Sequence, residues 1–134
     1  MVTFPIACSD DYIRAAVVGW SELLAQQKYA EAIAMFRNFF DIPPSVLEQV
    51  VSEYHKRGSC KVTSIFDLPE VDVPAFIVKS IAVQRHDDLS NCLGFVDYDN
   101  VPIDGSASDL TAQFEIVKLD ESTITLSFKD MHVL

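Results

Sequence analysis

The chain has 134 residues, 49% apolar and 22% charged, with only 4 Gly and 6 Pro, which fits one globular domain spanning 1–134 and excludes a disordered or low-complexity chain. Its net charge of −10 is unevenly spread: residues 1–66 hold 7 acidic and 6 basic side chains, residues 67–134 hold 13 and 4. The acidic half would repel nucleic acid and anionic membranes and attract a basic protein partner, or it would simply keep the chain soluble.

Residues 9–26 read as the first helix. Ile13, Ala16, Val17, Trp20, Leu23 and Leu24 recur at helical spacing, Ser9 or Asp10 can cap it, and Asp10 and Asp11 suit the positive end of its dipole. A short join at Gln26 to Lys28 leads to a second helix over 28–39. Pro43-Pro44 then opens a third helix over about 44–57, with Leu47, Val50, Val51 and Tyr54 as its buried stripe, a capping-box spacing at Ser45 and Glu48, and Gly58 as a left-handed stop.

From there the period changes. Cys60–Phe66 reads as a short strand, 67–74 as a proline-bearing loop, and 75–85 and 91–98 as strands. The last hairpin is the clearest element. Leu110, Ala112, Phe114 and Ile116 alternate with polar neighbours, as do Ile124, Leu126 and Phe128. The apolar faces coincide only if the loop has an odd number of residues. A three-residue loop at Leu119-Asp120-Glu121 would set Ile116 opposite Ile124 and Phe114 opposite Leu126. The expected fold is therefore α+β: three N-terminal helices packed on a curved antiparallel sheet of four to five strands.

The longest apolar run near the N-terminus, Ala15 to Trp20, is too short to span a bilayer, and no secretory signal or membrane association is expected. Cys8, Cys60 and Cys92 are odd in number and far apart, with no CxxC pair. They read as reduced thiols in a cytoplasmic protein.

The candidate functional residues cluster late. Asp97, Tyr98, Asp99, Asp104 and Asp109 form an expected exposed acidic patch, with Tyr98 as an aromatic anchor of the type found at interface hot spots. Such a patch steers a basic protein into place and can stand in for nucleic-acid phosphates. The competing readings are structural. Asp104-Gly105 is a good turn pair, and Asp109 can simply begin a strand. Asp97 and Asp99 begin like a calcium loop, but Val101 occupies the third ligand position and the glycine is displaced. No metal or cofactor is expected, because the histidines and cysteines lack zinc-ligand spacing and no glycine-rich phosphate loop is present.

Asp130 and His132 share a strand face and can hydrogen-bond, but Ser127 would lie on the other face if alternation holds, so no nucleophile accompanies them. An isomerase-like site would need a carboxylate among the core-facing residues, and none is apparent beside Tyr12, Tyr29, Tyr54 or Tyr98. No catalytic residue is assigned.

Three helices followed by a curved antiparallel sheet resemble the nuclear-transport-factor-two-like (cystatin-like) superfamily. The run Gly94-Phe95-Val96, Val101-Pro102-Ile103-Asp104-Gly105, Ser108 to Glu115 and Lys129 to Leu134 also resembles a family of small bacterial proteins of uncharacterised function. The resemblance implies a fold and a bacterial origin but brings no activity or catalytic residues. Some superfamily members are immunity proteins that block a toxin, and others bind ligands or isomerise them. The leading expectation is a non-enzymatic immunity or inhibitor protein that holds a basic partner. The alternatives are a small-molecule-binding or isomerase-like domain and a structural homodimer.

Overall fold

The computed structural model describes residues 1–133. The chain opens with a short strand, β1 (Phe4–Pro5), followed by three helices: α1 (Asp10–Ala25), α2 (Tyr29–Met35) and α3 (Pro44–Ser52). A fourth helix, α4 (Val73–Ser80), precedes the strands β2 (Ile81–Leu89), β3 (Cys92–Tyr98), β4 (Pro102–Ile103), β5 (Ser106–Ala107), β6 (Leu110–Lys118) and β7 (Thr123–Val133). The main sheet is antiparallel, in the order β1-β7-β6-β3-β2, and strongly curled into a half-barrel; β4 and β5 pair as a separate ribbon. This is the expected α+β class, with one more helix than the sequence suggests. Among the described residues no helix is long and apolar enough to cross a membrane.

Four elements differ from the sequence reading. The second helix stops at Met35. Phe36 turns extended (φ −119, ψ 179), and Arg37 N–H donates to Leu126 O (3.1 Å), so this stretch lies along β7. Tertiary hydrogen bonds outweigh local helix propensity there. The third helix ends at Ser52, and Tyr54–Lys56 form a 3-10 turn in which His55 and Lys56 take left-handed φ values of 52° and 59°. Its start uses Pro44 as expected, but no side chain caps it.

The third difference is the span 75–85. Its first part is α4, and only from Ile81 does it form a strand. Asp72 accepts from Ala75 N–H (3.3 Å), and Pro74 sits in the first turn, which together make a helix start. The apolar Val and Ile content of 75–78 masks that start in a period count. The expected strand at 60–66 is only a single bridge, Val62 to Ile103, followed by a 3-10 turn at Ile65–Asp67.

The β6–β7 hairpin keeps the expected faces with a register shifted by two. Lys118 pairs with Ile124, Ile116 with Leu126, Glu115 with Ser127 and Phe114 with Phe128. The loop thus has five residues; an odd count preserves the apolar face. A bulge follows, because Gln113 pairs with Asp130 and Thr111 with His132. The extra residue, Lys129, moves Asp130 onto the face that holds Ser127. This corrects the expectation that the two lie on opposite sides. Further irregularities lie between Cys92 and Gly94 and between Arg85 and Leu89. Bulges increase local twist, and here they curl the sheet around the helices.

The core lies between the helices and the concave sheet face. Trp20, Phe36, Phe114 and Phe128 are all buried, with ring centroids 4.9 to 5.9 Å apart in the contacting pairs. The other face of β6 and β7 is less open than its polar residues suggest. Thr111, Thr125 and Ser127 are buried. Thr125 Oγ1 donates to Val2 O (2.6 Å), and Phe39 N–H donates to Ser127 Oγ (3.1 Å), so neighbouring chain segments satisfy their hydroxyls.

Candidate functional site

The acidic residues singled out in the sequence separate into two groups. Asp97 and Asp99 stand on the helix-free face at the end of β3. Each is held by a donor from the adjacent strand β6: Gln113 Nε2 donates to Asp97 Oδ1 (2.9 Å), and Thr111 Oγ1 donates to Asp99 Oδ1 (3.0 Å). Asp99 N–H also donates to Ser80 O (2.7 Å), which fixes its backbone. One strand further on, Asp130 and His132 occupy the positions opposite Gln113 and Thr111, and His132 Nδ1 lies 2.9 Å from Asp130 Oδ1. The expected Asp130–His132 contact is therefore present. Glu115 lies on the same face, opposite Phe95 and Ser127.

This register assembles Asp97, Asp99, Glu115 and Asp130 on one side of β3, β6 and β7. Among the described residues none of the four forms an ion pair with a lysine or arginine. Of the cations bordering the face, Lys129 lies over Phe95 (5.5 Å), Arg37 lies over Phe39 (5.8 Å), and Lys118 pairs with Asp88 and Glu121. Gln113 and Thr111, both neutral, thus orient Asp97 and Asp99 without cancelling their charge.

Tyr98 corrects the sequence reading. It is 0% exposed, and its hydroxyl hydrogen-bonds Ser21 Oγ (2.9 Å) beneath the sheet. Burial pushes its phenol well above the ordinary range. Alternation along β3 sends Tyr98 inward between Asp97 and Asp99, so it packs the core and cannot anchor a partner.

Asp104 and Asp109 belong to a neighbouring lobe built by the 99–109 segment. Asp104 has φ 50° in the turn before Gly105, accepts from Lys61 N–H (3.2 Å) and donates its own N–H to Lys61 O (3.0 Å). That makes it a structural turn residue as well as an exposed carboxylate. Asp109 accepts from the Tyr54 hydroxyl, and His55 Nε2 lies 3.5 Å away. The Tyr54 and His55 rings stack at 4.1 Å. The Tyr54 hydrogen bond, with His55 beside it, holds the Asp109 carboxyl below its usual range. Partial burial, followed by the carboxylate, pushes the Tyr54 phenol up. A shallow cleft of about 280 Å³ adjoins this cluster, lined by Arg57, Asp104, Ser106 and Ser108 among others.

Sequence reasoning missed Glu115 and Asp130 as members of the acidic face, along with the Tyr54–His55–Asp109 cluster. Alternation in the last hairpin puts Glu115 on the polar side of its own strand. Joining it to Asp97, Asp99 and Asp130 needed the cross-strand register and the bulge at Lys129. Among the described residues no group of three or more His, Cys, Asp or Glu side chains is arranged to hold a metal ion.

Compared with known proteins, the chain matches no sequence family, no curated protein and no solved structure.

Proposed function

We propose that this chain is a non-enzymatic binding protein that docks a basic protein on the helix-free face of its sheet. An immunity or inhibitor protein acting on a basic toxin is the most concrete form. One observation carries the reading: Asp97, Asp99, Glu115 and Asp130 share a single face, and among the described residues none of them is ion-paired with a lysine or arginine. A surface dominated by charge of one sign raises association rates and rejects like-charged partners. Strand-mounted side chains held by Gln113 and Thr111 lose little further freedom on binding. The buried aromatic cluster around Trp20 supports this reading over an isomerase-like one, because side chains occupy the space between helices and sheet. On the order of its elements and its three free cysteines, we take the chain to be a cytoplasmic member of the nuclear-transport-factor-two-like superfamily.

A second reading, a small-molecule-binding domain, draws on a cleft of about 460 Å³ at the far end of the same face. Arg37, Phe39, Leu89, Cys92, Glu115 and Lys118 line it. That volume lies in the range of ligand pockets, and a rise in melting temperature with a bound small molecule would favour it.

The docking reading is tested by affinity capture from host lysate at low and high salt, using the original chain and an Asp97→Lys/Asp130→Lys variant. The expected result is a basic protein that binds at low salt, elutes at high salt and is not captured by the variant. Equal capture by the variant would remove the sheet face as the docking surface.

A further inference from the structure

The helical side carries a second, chemically different surface. An open groove of about 520 Å³ runs between α1 and α4. Ala15 and Val18 form one wall, Val73, Pro74 and Ile77 the other, and Phe66 closes one end. Phe66 is 59% exposed. An aromatic ring so exposed gains little from its own fold, yet its turn is firmly fixed. Glu22 accepts from Ser64 Oγ (2.5 Å) and from Ile65 N–H (3.3 Å), and Ser64 Oγ accepts from Phe66 N–H (3.1 Å). The opposite wall is set by the Asp72 cap of α4.

The rim of this apolar strip is acidic. The exposed residues Asp67, Glu70 and Asp72 occupy the loop between the lining residues Phe66 and Val73. Asp11 and Arg14 also line the groove but pair with each other, Arg14 Nη1 donating to Asp11 (3.1 Å) and its Nε to Ile81 O (2.8 Å), so their charges offset and the negative charge comes from the loop. An apolar floor between rigid walls with a negative rim complements one kind of ligand: a helix with an apolar stripe flanked by lysine or arginine. The eight residues of α4 span about 12 Å, enough for two turns of such a helix to set its i, i+3/i+4 and i+7 side chains against the strip.

We propose that the α1–α4 groove receives a basic amphipathic helix of a protein partner. The apolar stripe lies against Phe66, Val18 and Ile77, and the cationic flanks face Asp67, Glu70 and Asp72. This goes beyond the sheet-face reading, since it uses other residues and adds burial to charge.

The test uses the full chain and a fluorescently labelled 18-residue leucine/lysine peptide with its leucines on one helical face. A peptide of identical composition in scrambled order serves as control. The expected result is saturable binding of the amphipathic peptide with a gain of helical circular dichroism, and affinity at least about tenfold weaker for the scrambled peptide. Phe66→Ser should weaken binding about tenfold or more, as loss of an anchor does. Asp67→Asn/Glu70→Gln should weaken it by a smaller factor that vanishes at high salt. At a salt concentration where a decalysine peptide no longer binds, Asp97→Asn/Asp130→Asn should leave the preference for the amphipathic over the scrambled peptide intact, which separates this inference from the sheet-face reading. Equal binding of both peptides, or full binding by Phe66→Ser, would overturn the proposal. So would a protein that sediments as a dimer and becomes monomeric on Phe66→Ser, since a second copy would then occupy the groove.

Discussion

The buried pair of Tyr98 and Ser21 gives a quantitative test of how β3 is placed. Both residues are 0% exposed, and their oxygens lie 2.9 Å apart. A buried hydroxyl left without a partner costs about 1–3 kcal/mol, whereas removing both partners costs roughly one net hydrogen bond, near 1 kcal/mol. Tyr98→Phe leaves Ser21 on a helix, where its hydroxyl can turn back to a carbonyl one turn earlier. That loss should be about 1 kcal/mol. Ser21→Ala strands the Tyr98 phenol in the core and should cost about 2 kcal/mol, less a few tenths for the better helix propensity of alanine. The double variant should lose only about 1–1.5 kcal/mol, well short of the sum. For 134 residues the unfolding entropy is about 0.28 kcal/mol/K, so each kcal/mol moves Tm by roughly 3.5 °C. Urea denaturation followed by tryptophan fluorescence, with Trp20 as the reporter, measures all four members of the cycle. Additive losses, or a Tyr98→Phe variant as stable as the original, would refute the inward placement of Tyr98 and return it to the surface.

Two further perturbations probe the frame of the site. Gly94 has φ +149°, and a Cβ there would lie 2.1 Å from Gln84 O and 2.9 Å from Arg85 Cα on the neighbouring strand. Gly94→Ala must therefore push β2 away from β3, with a stability loss of about 3 kcal/mol or more, read by the same denaturation. Unchanged stability would contradict the bulged β2–β3 pairing. Tyr54→Phe should raise the pKa of Asp109 towards the ordinary carboxylate value, as followed by carboxyl NMR titration. Because Asp109 is depressed in the folded state, its stabilising effect is present above the unfolded carboxylate pKa and disappears as pH falls through the folded value. The stability gap between Tyr54→Phe and the original should thus narrow in acid, and a gap independent of pH would show that the Tyr54–Asp109 bond does not set it.

How far the sequence reached depended on the range of each signal. The α1 stripe and the alternation of β6 and β7 were legible because local period reports a buried face directly. The odd-length hairpin loop followed from parity alone, but its length did not, since loops of three and five residues satisfy the same faces. The start of α4 was written in Asp72, Val73 and Pro74, yet the β-branched residues after it read as strand. At Phe36 to Phe39 the chain gives up helix to bond β7, a tertiary event without a local mark. The acidic face was half legible. Asp97 and Asp99 stood out, and strict alternation along β3 would already have turned Tyr98 inward. Glu115 and Asp130 join them only through a register set by the bulge at Lys129, which no composition or spacing announces.

A charge-matched comparison decides whether the sheet face is the docking surface. Asp97→Asn/Asp99→Asn/Asp130→Asn removes three charges from the sheet face, and Glu31→Gln/Glu48→Gln/Glu53→Gln removes three exposed charges from α2 and from α3 with its C-cap. Each variant is titrated with a decalysine peptide across a salt series, with affinity read by fluorescence anisotropy. The sheet-face triple should lose most of the low-salt affinity and flatten the salt slope, while the helical-side triple should keep both near the original. Equal losses in the two variants would mean that net charge alone attracts the probe, and the sheet face would hold no special claim as the docking surface.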